Sequence, residues 1–146
     1  MFFRYQMDVT GMVKMATSEL EKITINMPPL DLGQIDQLVQ EGFYQNRTDF
    51  IRTAIRNQLN THAEAVRQTV VRKTLVLGLQ HYTRNDLEAV RAAGEMLEIK
   101  VLGLASIAVD VRPELALETI GSVTVLGAFK ASPTVKAALA GRIRSS

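Results

Sequence analysis

The stretch KITINM, residues 22–27, alternates polar and apolar side chains without a break. The polar set is Lys22, Thr24 and Asn26, and the apolar set is Ile23, Ile25 and Met27. This alternation predicts a half-buried β-strand that ends at Pro28, because proline has no amide proton to donate. The residues that follow show no second strand pattern. Because an unpaired strand leaves its backbone donors and acceptors unsatisfied, its partner is expected far along the chain or in another chain.

Two helical patterns follow the predicted strand. Asp31 is expected to cap the first helix, which should end at Gly42, a residue that can take the left-handed conformation. The apolar positions of this first helix are Ile35, Leu38 and Val39. Asn46 is expected to cap the second helix, with Asp49 near the positive end of its dipole. The second helix is expected to continue towards Val70, and its apolar stripe comprises Phe50, Ile51, Ala54, Ile55 and Leu59.

One strand and two helices of this size cannot bury the apolar side of the strand alone. A two-fold dimer would solve the problem, since two copies of residues 22–27 could pair antiparallel over a core of four helices. The expected dimer core comprises Ile23, Ile25, Met27, Ile35, Leu38, Phe50, Ile51 and Ile55. The polar side of the resulting two-stranded ribbon would be displayed twice, and such a ribbon fits the DNA major groove, which is about 12 Å wide.

Residues 22–59 resemble the ribbon-helix-helix proteins, a bacterial DNA-binding family whose β-ribbon reads the major groove. The resemblance rests on the order and spacing of KITINMP, DLGQIDQLVQEG and NRTDFIRTAIRNQL. It implies an obligate homodimer that binds double-stranded DNA and regulates transcription, with repression as the expected mode. It also implies base contacts from Lys22, Thr24 and Asn26, and phosphate contacts from Asn46, Arg47 and Thr48.

The charge pattern gives little support to a DNA-binding function. The whole chain carries a formal charge of +2. Residues 1–68 carry seven basic and eight acidic side chains, which sum to −1. Any positive potential that attracts DNA must therefore be local. The alternative interpretation of the polar residues in KITINM is that they form only the solvated side of a strand.

The tripeptide VLG recurs in the second half of the chain, at residues 76–78, 101–103 and 125–127. Each copy belongs to an alternating strand followed by a loop and a helix. A period of about 24 residues with one strand and one helix per unit predicts short parallel strands side by side, and it loosely resembles leucine-rich repeats. The glycine of each copy is expected to let a neighbouring group approach closely.

The helices of these units have their own start and stop signals. The predicted starts are Thr83 with Asp86, Arg112 with Pro113, and Ser132 with Pro133; the predicted ends lie near Gly94, Gly121 and Gly141. The fold class expected from the whole pattern is α+β. The expected organisation is an N-terminal arm over residues 1–20, a ribbon-helix-helix domain over residues 21–68 and a repeat-like domain over residues 69–146.

Several function classes are disfavoured by what the sequence lacks. There is no cysteine, no apolar run long enough to cross a membrane and no nucleotide or hydrolase motif. His62 and His81 lack a third ligand at metal spacing, so neither a metal nor a cofactor is expected. The sequence thus favours a soluble cytoplasmic regulator rather than an enzyme. The main alternative is an antitoxin-like module whose C-terminal part binds a partner protein; that part could equally bind a small effector or join dimers into tetramers.

Overall fold

The computed structural model describes residues 20–144, which form two compact units, residues 20–68 and residues 69–144. The expected N-terminal arm lies outside the described residues except for Leu20. The helices of the first half are α1 (Pro29–Gln40), α2 (Arg47–Thr61) and α3 (Ala63–Arg72). The boundary between the two units falls within α3.

The second unit is built on a parallel sheet of four strands in the order β1-β2-β3-β4. Its elements are β1 (Val76–Tyr82), α4 (Arg84–Ala92), β2 (Leu97–Ile107), α5 (Pro113–Thr119), β3 (Ile120–Lys130), α6 (Pro133–Ala138), a 3-10 helix (Ala140–Arg142) and β4 (Ile143–Arg144). Together with the helices of the first unit, this sheet confirms the α+β content predicted from the sequence.

The three VLG tripeptides lie side by side in the sheet. Val76 pairs with Val101 and Val101 with Val125, and the leucines and glycines of the tripeptides pair in the same way. The resulting glycine row comprises Gly78, Gly103 and Gly127. Residues 25 and 24 positions apart in the sequence thus become direct neighbours across the strands.

The core of the second unit lies between one face of the sheet and helices α4 to α6. The strands contribute alternate side chains and each helix contributes at least one fully buried residue, as expected when apolar stripes meet. The buried cluster comprises Leu87, Ile99, Val101, Ala105, Ile107, Val111, Leu115, Ala116, Ile120, Val123, Val135 and Leu139. A unit with a core of this size does not need another chain to bury its helices.

Two predicted features of the first unit are wrong. Helix α1 begins at Pro29 rather than after a cap at Asp31, because proline has a suitable φ for the first helical position and Pro28 is already extended. The helix that starts at Arg47 does not run on unbroken but is interrupted at His62. The Thr61 hydroxyl donates to the Asn57 carbonyl at 3.2 Å, a bond that often bends helices.

In the second unit the three predicted helix starts are confirmed, and Gly94 ends α4 with a φ of +69°. The helix end predicted near Gly121 is confirmed, because α5 ends at Thr119, although Gly121 itself lies inside β3, which follows with no loop. The helix end predicted near Gly141 is wrong. Gly141 lies in the 3-10 helix, since α6 has already ended at Ala138. Strand β4 was not predicted.

Candidate nucleic-acid interface

The KITINM segment lies on the surface of the chain, where all its residues are exposed except the half-buried Met27. Pro28, which closes it, has extended φ and ψ angles of −62° and 145°. The predicted half-buried strand is not formed within one chain: residues 20–28 form no regular element, and the rest of residues 20–144 supplies no strand to pair with them. Ile23 is 72% exposed and Ile25 57% exposed. Two neighbouring isoleucines that are more than half exposed form an apolar surface of the kind that marks an interaction site.

The unit of residues 20–68 has almost no core of its own. Among its residues only Ile35 is buried, at 4% exposure. Its exposed large apolar side chains are Leu20, Ile23, Ile25, Leu30, Phe43, Ile55 and Leu59. A unit with one buried apolar residue cannot offset the conformational entropy lost on folding.

The predicted dimer-core residues are only partly brought together within one chain. A cleft of about 250 Å³ is lined by Met27, Ile35, Leu38 and Phe50 together with Asp31 and Gln34. Ile51 is half-buried, whereas Ile55 is 44% exposed. The apolar side of the unit is therefore an open surface rather than a closed core.

The N-terminus of α2 has the predicted cap. The Asn46 side chain accepts a hydrogen bond from the Asp49 amide at 2.8 Å, and the Asp49 carboxylate accepts one from the Gln45 amide at 3.0 Å. The amides of Arg47 and Thr48, at the first two helical positions, have no intrahelical carbonyl to bind. Such first-turn amides form a site that suits a phosphate.

The Arg47 side chain has a partner that the sequence analysis did not predict. Its guanidinium donates to both oxygens of Asp36 at 2.7 and 2.8 Å, and so joins α2 to α1. This hydrogen bond holds the pKa of Asp36 below its usual value and raises that of Arg47. The pair uses two of the five guanidinium N–H groups, so both the remaining N–H groups and the backbone amide of Arg47 are available to a phosphate. The signal in the sequence was weak, namely opposite charges eleven residues apart on two helices.

The three residues predicted to contact bases lie in the exposed segment. Lys22, Thr24 and Asn26 are all exposed. In a strand, alternation would place them on the side opposite Ile23 and Ile25. A groove-reading ribbon needs one polar and one apolar side.

Other chemistry in the described residues is limited. The Nδ1 atom of His81 lies 2.7 Å from the Ser106 hydroxyl, and the Nε2 atom of His62 lies 3.3 Å from the Gln58 amide nitrogen. Within residues 20–144, no three histidine, aspartate or glutamate side chains are placed to hold a metal. No helix in that range combines the length and the apolar character needed to cross a membrane.

Comparison with known proteins gives one family and two short relatives. The model of the ribbon-helix-helix transcriptional regulator family matches residues 18–136. An uncharacterized protein of Methanocaldococcus jannaschii is 41% identical over 39 residues, which are 27% of this chain and 40% of that protein. The transcriptional regulator CdrS of Halobacterium salinarum is 29% identical over 45 residues, which are 31% of this chain and 82% of that protein. No solved structure matches.

The family match extends well beyond the motif resemblance at residues 22–59. It covers most of the parallel sheet as well as the helices of the first unit. The loose likeness of the VLG period to leucine-rich repeats receives no support from these matches.

Proposed function

Since this chain belongs to the ribbon-helix-helix transcriptional regulator family, we propose that it binds specific double-stranded DNA as a homodimer. The observation that carries this proposal is the near absence of a core in residues 20–68, where Ile35 alone is buried. A second copy would pair its extended segment with the first and cover Ile23 and Ile25. The same pairing would create the ribbon that enters the major groove.

The polar side of the ribbon has the chemistry to read bases. Asn26 carries a donor and an acceptor and can bind adenine through two hydrogen bonds. Lys22 can donate to N7 or O6 of guanine. Thr24 can offer its hydroxyl to a base edge or its methyl group to thymine. In a symmetric dimer each contact occurs twice, so the preferred site would be a pair of related half-sites.

The N-terminus of α2 would fix the ribbon in the groove. The Arg47 and Thr48 amides can bind a phosphate oxygen, and the Asn46 cap keeps this first turn in place. The contact carries no sequence information but sets the register of the protein on the duplex. Repression is the expected mode, because a bound dimer excludes other proteins from the same groove.

The antitoxin-like alternative is disfavoured by the second unit. Antitoxin tails usually order only on binding, whereas residues 69–144 hold a buried cluster that includes Leu87, Ile99 and Leu139. The family is also one of transcriptional regulators rather than of enzymes.

Replacing Asn26 with alanine tests base reading directly. Asn26→Ala should weaken binding to an operator selected from random DNA by about 1–3 kcal/mol for each lost contact, twice in the dimer. Binding to a scrambled duplex should hardly change, because phosphate contacts dominate there. Affinities are measured at one salt concentration. Asn57→Ala, at an exposed asparagine of α2, is the matched control. Equal losses on both duplexes would show that Asn26 does not read bases.

A further inference from the structure

An acidic side chain lies beside the site that we assign to a DNA phosphate. The Asp36 carboxylate is bound to the guanidinium of Arg47, the first residue of α2. The amides of Arg47 and Thr48, in the same first turn, are the proposed phosphate donors. A carboxylate close to a phosphate repels it, and residues 1–68 already carry more acidic than basic side chains. An acidic residue at this position therefore needs a physical explanation.

The geometry of the pair leaves one edge of the guanidinium without a partner among residues 20–144. Asp36 accepts hydrogen bonds from Nε at 2.7 Å and from Nη2 at 2.8 Å, which together form the side edge of the group. A guanidinium carries five N–H groups in a rigid plane. Both N–H groups of Nη1 and the second N–H group of Nη2 remain, and they form the end edge. This edge can donate to two oxygens of a phosphate in the usual bidentate manner.

The end edge is accessible to a ligand from solvent. The Arg47 side chain is 55% exposed and the Asp36 side chain is 44% exposed. In an α-helix the Cα–Cβ bond tilts towards the N-terminus, so the side chain of Arg47 starts towards the end of α2 that holds the unpaired amides. A phosphate can therefore meet the guanidinium and the first-turn amides without displacing Asp36.

Two effects of opposite sign act on such a phosphate. A carboxylate and a phosphate on two edges of one guanidinium are roughly 7 Å apart, and in physiological salt their repulsion lowers the affinity by about 1.5-fold. Ordering a free arginine side chain on binding lowers the affinity by roughly two- to tenfold. Because Asp36 orders the guanidinium before a duplex arrives, it removes the larger of the two penalties.

We propose that Asp36 is a positioning residue for DNA binding, which holds Arg47 by the side edge of its guanidinium so that the end edge meets a backbone phosphate at the N-terminus of α2. Arg47 then bridges a carboxylate of the protein and a phosphate of the duplex. This inference rests on the proposed DNA-binding function. It is independent of which bases are read, because phosphate contacts carry no sequence information.

Two variants with the same change of charge test the proposal in the full-length protein with a random-sequence duplex. Glu41→Gln, at an exposed carboxylate that follows α1, should strengthen binding, because it removes a negative charge without touching the pair. Asp36→Asn removes the same charge but should weaken binding by roughly two- to tenfold for each Arg47 that is bound, since the guanidinium loses its fixed orientation. If Asp36→Asn strengthens binding as Glu41→Gln does, Asp36 only competes with the phosphate and the inference is overturned.

The salt dependence of binding separates positioning from a purely structural role of the pair. Arg47→Gln should lower the slope of log affinity against log salt by about one for each lost phosphate contact. Arg67→Gln is the matched control, because Arg67 donates through the same Nε and Nη2 atoms to Glu64 in α3, and it should leave the slope unchanged. An unchanged slope in Arg47→Gln would mean that the pair only joins α1 to α2.

A measurement on the unaltered protein covers the case that Asp36→Asn folds poorly. The hydrogen bond from Arg47 holds the pKa of the Asp36 carboxyl below its usual value, and carbon NMR can follow this pKa with and without the duplex. A bridging Arg47 keeps the pKa low in the complex, whereas a return towards the usual value would show that Arg47 leaves Asp36 for the phosphate and would overturn the inference. A protein that binds no duplex at all would refute the proposed function itself.

Discussion

Gly78, Gly103 and Gly127 occupy one row across the sheet with φ angles of +123°, +138° and +121°. An L-amino acid with a side chain is strained at such angles. A Cβ on Gly103 would also collide with the carbonyl oxygen of Gly78, and one on Gly127 with that of Gly103. Gly78 is at the edge, where a Cβ would meet nothing within 4 Å. Gly103 and Gly127 are thus required both by their positive φ angles and by the close approach of the neighbouring strand, whereas Gly78 is required by its φ angle alone.

Alanine substitutions in this row should therefore differ in cost. Gly78→Ala should destabilise the second unit by about 1–3 kcal/mol through backbone strain alone. Gly103→Ala should cost more than Gly78→Ala, because the backbones of β1 and β2 must also separate. Urea denaturation followed by circular dichroism measures both. Equal destabilisation by the two variants would mean that close approach of the strands contributes nothing.

Side chains that act locally were predictable, whereas those that act between elements were not. The Asn46 cap follows from its position just before an apolar periodic segment, and its partner is three residues away. The pair of Arg47 and Asp36 depends on how α2 crosses α1, which no spacing within either helix specifies. The three base-contact residues, by contrast, were predicted from alternation and resemblance, and their role stays a prediction.

At the scale of elements, each helix of the second unit begins differently. Thr83 and Asp86 form a reciprocal capping box on α4, with bonds of 3.1 and 2.9 Å. Arg112, before α5, makes no side-chain cap and is followed by proline. Ser132 caps α6 through the Val135 amide at 3.3 Å. These signals are local in the sequence, which is why all three starts were predicted.

The difference between these caps can be measured. Thr83→Ala should destabilise the second unit by about 1 kcal/mol, because it leaves a first-turn amide of α4 without its acceptor. Arg112→Ala is the control and should have almost no effect, since that side chain makes no capping bond. The readout is the free energy of unfolding in urea. If Thr83→Ala has no larger effect than Arg112→Ala, the capping box does not stabilise α4.

The sequence did not predict the strand β4 or the start of β3, because both depend on contacts with residues that are distant in the sequence. Strand β4 has two residues, Ile143 and Arg144, which is too short for any periodicity. It exists because Ile143 meets Val123 of β3. Likewise, the end of α5 near Gly121 was predicted, but the start of β3 at Ile120 was not. Ile120 is fully buried in the core, so packing against other elements sets the start of this strand.

At the scale of the whole molecule, the two units differ in whether they need a second chain. Residues 69–144 close a core of their own, whereas residues 20–68 bury only Ile35. The stability of the first unit should therefore depend on protein concentration and that of the second much less. The dimer itself was inferred from an unpaired strand, and the exposed isoleucines of KITINM support that inference without testing it.

A charge on the apolar side of KITINM should separate the two units. Ile25→Lys would place an ammonium group between the proposed ribbon and the helices beneath it, and burying an unpaired charge costs several kcal/mol. The chain should become monomeric and lose the helical signal of α1 and α2. The second unit should keep its fold, since none of its core residues lies in the ribbon. Thr24→Lys, on the exposed polar side, is the matched control and should stay dimeric. Light scattering gives the mass, and circular dichroism with amide exchange shows which helices remain. An Ile25→Lys chain that stays dimeric with all its helices protected would place Ile25 outside the dimer core, and the intertwined ribbon would have to be abandoned.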